Sequence, residues 1–204
     1  MPDGSGVAAA RIGPNALIQL VPILDATHGA AARRALFAAC GTPVPDGSAM
    51  IDEGPVAAIH RAMRARFPET APAIARAAGL AVGDYILANR IPAPVQTVLR
   101  ALPAPLAARA LTRAITAHAW TFCGSGHVTA RAGHPTVCAI HDNPMVRGET
   151  ADHGLCHWHT AVFERLFATL VHPCARARET ACCAMGAPAC RFEIRWRGRV
   201  PPPA

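Results

Sequence analysis

The 204-residue chain contains no lysine. Its positive charge comes from 20 arginines, which against 13 acidic residues give a net charge of +7. The arginines are scattered along the chain, and no helix-turn-helix, zinc-finger or aromatic-plus-basic motif accompanies them. We therefore expect no nucleic-acid partner, and most of this charge belongs to solvated surfaces. Because arginine pairs well with carboxylates, the same charge suits an acidic ligand.

Aromatic and charged residues are also scarce, at 5% and 16%, whereas 51% of the chain is hydrophobic and 45 residues are alanine. Small apolar side chains favour closely packed helices. Arginine, proline or glycine interrupts the apolar stretches before they reach the roughly 18 to 20 residues of a membrane-spanning helix, so we expect no membrane span. The amino terminus lacks the features of a secretory signal, which predicts a cytoplasmic protein.

The order of predicted elements indicates an α+β fold in a single domain. Residues 1–117 form its helical part, in which proline and glycine separate helices near 14–25, 29–40, 54–66, 70–90 and 94–119. Beyond Trp120, antiparallel strands are packed with one long helix. The predicted strands are 121–131, 135–141, 175–183 and 189–196, and the predicted helix is 153–171. Residues 197–204, which contain three consecutive prolines, are predicted to be a flexible tail.

Cysteine and histidine concentrate in the second half of the chain. Seven of the eight cysteines and eight of the ten histidines lie between residues 118 and 190. Cys182 and Cys190 flank a predicted tight turn, and Cys156 lies in the first turn of the predicted long helix. Zinc takes about four ligands, usually thiolates and imidazoles. On spacing alone, a zinc site and buried free thiols remain equal alternatives.

Longer motifs occur in the same region. They are Glu179-Thr180-Ala181-Cys182 with Gly186, Cys190 and Phe192, the stretch from Cys156 to Phe167, and Asp142-Asn143-Pro144 with Arg147-Gly148-Glu149. Together these motifs, which span residues 118–196, resemble the 4-vinyl reductase domain family. Within that family they are most similar to the bacteriochlorophyll 4-vinyl reductases of photosynthetic bacteria.

The resemblance implies a compact α+β ligand-binding fold, similar to that of Golgi-transport tethering subunits, whose relatives include sensors of small aromatic hydrocarbons. It also implies a structural zinc held by three cysteines and a carboxylate. Cys156, Cys182 and Cys190 occupy the positions of the three cysteines. Glu149 is the nearest acidic candidate upstream for the carboxylate, and His153 or a water is the alternative.

The ligand implied by the resemblance is a divinyl tetrapyrrole of the protochlorophyllide type. Six side chains are candidate contacts for it: His118, His157, His159, Trp158, Phe163 and Phe167. The imidazoles are candidate axial ligands of its magnesium, and the aromatic rings are candidate walls of a cavity between the long helix and the sheet. Ordinary core or surface positions are the alternative for all six.

Reduction of a vinyl group requires an electron donor such as a nicotinamide, a flavin or an iron–sulfur cluster. The sequence has no GxGxxG turn and no closely spaced cysteine run, so we expect no nicotinamide or flavin site. It therefore favours binding or delivery of the tetrapyrrole within bacteriochlorophyll biosynthesis, with other pigment-biosynthesis enzymes as candidate partners. A vinyl reductase with an external donor is the alternative, and a small-aromatic-sensing module is a weaker one. The sequence leaves a homodimer open.

Overall fold

The computed structural model describes residues 10–196, so the predicted tail 197–204 lies outside the described residues. The helices are α1 (Asn15–Ile18), α2 (Leu20–Ala39), α3 (Glu53–Arg66), α4 (Ala71–Asn89), α5 (Ala93–Ala101), α6 (Ala104–Ala117), α7 (Trp120–Cys123) and α8 (His157–Leu170). The strands are β1 (Arg11–Ile12), β2 (Ile51–Asp52), β3 (His127–Arg131), β4 (Thr136–His141), β5 (Ala175–Ala181) and β6 (Ala189–Trp196). This order confirms the predicted α+β class.

Proline and glycine mark the helix boundaries much as the sequence predicts. Gly29 adopts φ 82° inside α2 and kinks it where the sequence predicts a break between two helices. Pro103 is extended, with ψ 135°, and separates α5 from α6. Two boundaries differ from the prediction. Residues 120–123 form the short helix α7 instead of the start of a strand, and α8 begins at His157 instead of residue 153.

Strands β3 to β6 form an antiparallel sheet in the order β3-β4-β6-β5, which leaves β3 and β5 at its edges. Along β6, the fully buried Cys190, Phe192 and Ile194 alternate with exposed arginines. This period of two places one apolar face of the sheet toward the core. The core extends from this face into the helical part of the chain.

Helix α8 packs against both the sheet and α4, and nine of its 14 residues are buried. Two glycines of α4, one helical turn apart, allow the two helices to approach closely. A Cβ atom at Gly79 would lie 2.3 Å from the backbone oxygen of Trp158, and one at Gly83 would lie 2.6 Å from Cβ of Arg165. Glycine is therefore required at Gly79, where the neighbouring atom belongs to the backbone.

Helix α4 corrects one expectation from the sequence. Its 19 residues have a mean hydropathy of 1.2, so by length and composition it could cross a membrane. The few charged residues within it do not interrupt the apolar stretch enough to prevent this. Eight of its residues are buried against the rest of the chain. Core helices have the same composition, so this one helix is weak evidence for a membrane span.

Candidate metal centre and predicted ligand contacts

Four acidic side chains meet where α8 begins beside the β5–β6 hairpin. The ligand atoms of Cys156, Glu179, Cys182 and Cys190 all lie within 4.8 Å of one another. The three cysteines are buried and Glu179 is half-buried. The sulfurs of Cys182 and Cys190 are 3.9 Å apart. In a tetrahedral site with zinc–sulfur bonds of about 2.3 Å, neighbouring sulfurs are about 3.8 Å apart, so this geometry suits a four-coordinate metal.

The local backbone explains how these four residues meet. Cys156 is the N-cap of α8, and Cys182 and Cys190 lie on either side of the hairpin turn, which closes through Gly186 at φ 82°. Glu179 pairs with Phe192 and Ala181 with Arg191, so β5 carries an extra residue. In a regular strand, residues three apart point to opposite faces. This bulge brings Glu179 to the same side as Cys182.

Surrounding groups hold the four side chains in place. The backbone N–H of Cys156 donates to Oε2 of Glu179 at 2.9 Å, and Nδ2 of Asn143 donates to Sγ of Cys156 at 3.4 Å. Oε1 of Glu179 is buried and has no hydrogen-bond partner among residues 10–196. A Cβ at Gly154 would lie 2.4 Å from Oε2 of Glu179, so only glycine fits there. The unpartnered oxygen is available as a metal ligand.

The electrostatics of the cluster also favour a cation. Hydrogen bonds from the thiols of Cys156 and Cys190 lower the pKa of Cys182, while the hydrogen bond to Cys182 raises the pKa of Cys156. Burial, reinforced by the charge at Cys182, raises the pKa of Glu179 to about 8. The four groups cannot all be ionised together without a compensating positive charge. A divalent ion supplies that charge and displaces the protons.

The carboxylate beside the thiols is Glu179, and Glu149 lies elsewhere. Glu149 forms an ion pair with Arg64, in which Nε of Arg64 donates to Oε2 at 3.1 Å, and Nε of Arg61 lies 3.8 Å from Oε1. It therefore joins its loop to α3. His153, the alternative fourth ligand, is exposed and pairs with Asp152 at 2.6 Å. Glu179 is the first residue of the quoted motif that ends at Cys182, and this was the available sequence signal.

The other motif residues stabilise the loop that leads to the metal centre. Nε of Arg147 donates to Oδ1 of Asp142 at 2.8 Å, and Nη1 donates to Oε1 of Glu53 at 3.2 Å. Oδ1 of Asn143 accepts the backbone N–H of Met145 at 3.1 Å while its Nδ2 contacts the sulfur of Cys156. These motifs connect α3, the loop and the metal centre.

The structure places four of the predicted ligand contacts in the core. Trp158, His159, Phe163 and Phe167 are each at most 3% exposed. The rings of Phe163 and Phe192 lie 5.2 Å apart, so side chains fill the space between α8 and the sheet at this point. This packing is the reason that the cavity predicted there is not seen among these residues.

The three histidines occupy different environments. Burial lowers the pKa of His159 to about 4, and its Nε2 lies 3.4 Å from the backbone oxygen of Phe122. His157 is half-buried beside the metal centre, where burial lowers its pKa, and its Nε2 has no hydrogen-bond partner in the described part of the chain. His118 is exposed at the end of α6 and lies 2.9 Å from the backbone oxygen of Ala114. The structure therefore separates His118 from the other two.

The segment that contains the four candidate ligands defines the class of protein. Residues 136–196 match the 4-vinyl reductase domain family. The chain is 54% identical to the bacteriochlorophyll synthase 23 kDa chain of Cereibacter sphaeroides, over 96% of each protein. It is 43% identical to the protein of the same name from Rhodobacter capsulatus, over 93% of this chain and 89% of the relative. The chain belongs to this family of 4-vinyl reductase domain proteins, which confirms the resemblance seen in its motifs.

The fold is shared with solved structures of more distant sequence. The H-NOX protein from S. oneidensis, solved in its Fe(II)NO ligation state, superposes with a TM-score of 0.58. The match covers 92% of this chain and 100% of the H-NOX chain at 12% sequence identity. At this identity the likeness concerns the fold alone, and it agrees with the α+β class.

Proposed function

We propose that this protein acts in bacteriochlorophyll biosynthesis at the vinyl-reduction stage, where it binds a divinyl tetrapyrrole intermediate and delivers it to a reductase. The observation that carries the proposal is the 54% identity, over 96% of both chains, to a protein named as a chain of bacteriochlorophyll synthase. The motifs that resemble 4-vinyl reductases support the vinyl-reduction stage. The net charge of +7 suits a ligand that carries a carboxylate.

Zinc is the ion that we assign to the metal centre. The donor set of three thiols and one carboxylate is typical of zinc, and all four positions of the tetrahedron are supplied by the protein. Catalytic zinc sites keep one position open for water or substrate, whereas structural sites are closed. The bound ion would therefore contribute stability, and Cys156, Glu179, Cys182 and Cys190 would hold α8 against the hairpin.

Elemental analysis tests this assignment. Protein purified without chelators should contain about one zinc per chain, as expected for a single four-ligand site. A matched Cys40→Ser variant should retain the metal, because Cys40 lies at the end of α2 and outside the cluster. Zinc-free protein that is fully folded would overturn the assignment.

Binding of the pigment is tested by titration with divinyl protochlorophyllide. The pigment absorbance should shift and the fluorescence of Trp120, Trp158 and Trp196 should be quenched at micromolar concentrations. A titration of free tryptophan at the same absorbance corrects for the inner-filter effect. Absence of both signals would contradict the proposed function.

The resemblance to 4-vinyl reductases favours a second candidate, a vinyl reductase that uses an external electron donor. Anaerobic incubation of the purified chain with divinyl protochlorophyllide and NADPH, or with reduced ferredoxin, separates the two candidates. The delivery function predicts that the pigment is recovered unchanged by chromatography. Conversion of the vinyl group to ethyl over several turnovers would establish the reductase instead.

A further inference from the structure

An open groove of about 660 Å³ lies between α6 and the carboxyl end of β3, away from the metal centre. Arg109 and Arg113 lie one helical turn apart on α6, and Arg131 is the last residue of β3. Because β3 is an edge strand of the sheet, the groove is open to solvent on one side. Three arginines from two elements therefore line one concave surface.

The charges of these three arginines are not compensated by the protein. All three side chains are exposed, and none forms an ion pair or hydrogen bond with any residue between 10 and 196. Elsewhere, Arg33, Arg64 and Arg147 each hold a carboxylate. Like charges lining one concave surface raise the local potential and attract an anion. The groove thus differs from the paired arginine sites of the same chain.

A buried hydroxyl in the same wall also lacks a partner. Thr112 is 4% exposed and lines the groove, and its Oγ1 has no hydrogen-bond partner in the described part of the chain. Buried hydroxyls usually have a partner. Thr116, one turn later, uses its own hydroxyl to donate to the backbone oxygen of Thr112 at 3.1 Å. Thr112 can therefore donate to a bound acceptor.

The rest of the lining is small and apolar. Ala117, Ala130 and Ala132 leave space beside the arginines. The volume lies within the range of roughly 300 to 1,000 Å³ that is usual for small-molecule sites. Methyl groups suit contact with a flat apolar surface, whereas the guanidinium groups suit a carboxylate. The two parts of the groove match an organic acid with a planar, mainly apolar body.

We propose that this groove binds the carboxylate-bearing edge of such an acid. Resting on the proposed function, we identify that carboxylate as the propionate of the divinyl tetrapyrrole. Arg109, Arg113 and Arg131 pair with the carboxylate, and the hydroxyl of Thr112 donates to it. The macrocycle lies on the alanine surface and remains open to solvent, where a second protein can receive it.

The test compares divinyl protochlorophyllide with its methyl ester, which lacks the carboxylate. Fluorescence titrations are made with the wild-type chain and with Arg109→Gln, Arg113→Gln and Arg34→Gln. Loss of one charge-assisted hydrogen bond should raise the Kd of the acid about tenfold in each groove variant. The Kd of the ester should not change. Arg34→Gln is the matched control, since it removes an exposed helical arginine of α2 that is not part of the groove.

Thr112→Val gives a second, independent readout. Because Oγ1 of Thr112 has no partner, its replacement by a methyl group should leave the melting temperature of the free chain unchanged and still weaken binding of the acid. Thr112→Ser keeps the hydroxyl and should restore binding. A melting temperature measured for every variant identifies any that are unfolded.

The outcomes separate this inference from the proposed function. If the wild-type chain binds the acid and the groove variants bind it equally well, the groove assignment is wrong and the proposed function stands. Equal affinity of the wild-type chain for acid and ester has the same meaning. If the wild-type chain binds neither pigment, both the proposed function and the groove assignment are wrong.

Discussion

The metal centre and the α6–β3 groove are built on opposite principles. In the metal centre, buried side chains converge from α8 and the β5–β6 hairpin, and neighbouring groups bond to most of their polar atoms. In the groove, three exposed arginines and one buried hydroxyl have no partner within residues 10–196. A region whose polar groups satisfy one another stabilises the fold, whereas a region with unsatisfied groups is suited to a ligand. We therefore assign stability to the first and binding to the second.

This difference predicts that substitutions in the metal centre act mainly on stability, whereas substitutions in the groove act mainly on affinity. The largest effect is expected for Cys182→Ser. It removes one thiolate, and structural metal binding is coupled to folding, so the free energy of unfolding should fall by about 4 kcal/mol or more. Urea denaturation with parallel zinc analysis measures it. Cys40→Ser is the control, and a Cys182→Ser chain with wild-type stability and zinc content would contradict the assignment.

The next largest effect is expected at the contact between α4 and α8. In Gly79→Ala the new Cβ would overlap the backbone oxygen of Trp158 and lie 2.8 Å from Cβ of Ala161, so the helices must separate. We expect a loss of about 3 kcal/mol, together with weaker metal retention because α8 begins at the metal centre. Thermal denaturation and zinc content are the measurements.

Two further glycines calibrate this result. Gly83→Ala should cost less, because the Arg165 side chain that it meets can move. Gly54→Ala in α3 meets no atom within 4 Å and should be neutral or stabilising by about 0.5 kcal/mol. Equal destabilisation by all three substitutions would show that close helix packing is not the cause.

A smaller effect distinguishes the two carboxylates. Glu179→Gln replaces an anionic ligand with a weakly coordinating amide and should reduce zinc affinity by at least about tenfold, measured by competition with a chromophoric chelator. Glu149→Gln weakens the pairing with Arg64 and should leave zinc affinity unchanged. The opposite pattern would restore Glu149 as the ligand that the sequence indicated.

Periodicity and punctuation were enough to predict most of the fold. The apolar spacing in residues 153–171 predicted α8, and the Leu102-Pro103 break separates α5 from α6 because proline cannot donate the next helical hydrogen bond. The late start of α8 could not be predicted, since Cys156 is a cap and contributes no periodic signal.

The candidate site was predictable only in part. The motifs indicated the three cysteines that the structure brings together, but parity along a regular strand would place Glu179 and Cys182 on opposite faces. The bulge that reverses this parity depends on the pairing of β5 with β6 and has no local signature. The groove could not be predicted either, because Arg131 lies 18 residues beyond Arg113 and meets it only through the packing of α6 on β3.

The smallest effect is expected in the core beside the helix that carries Cys156. His60 is 1% exposed, its ring faces Trp158 edge-on at 6.4 Å, and burial together with the charge of Arg64 lowers its pKa to about 3. An unfolded histidine has a pKa of about 6.5. Between these values only the unfolded chain binds the proton, so stability falls as the pH falls, by about 1.4 kcal/mol per pH unit for this residue.

His60→Gln should therefore make the decline in stability shallower by that amount, measured by urea denaturation from pH 6 to pH 4.5. The metal centre and the other charged neighbour, His159, are retained in both proteins, so their contributions largely cancel in the difference. At pH 7 the variant loses a packed ring and the contact with the backbone oxygen of Ala16, and it should be less stable than the wild type. His118→Gln, which removes an exposed ring, is the matched control. Parallel pH profiles for the wild type and His60→Gln would show that His60 takes up its proton in the folded chain as readily as in the unfolded one.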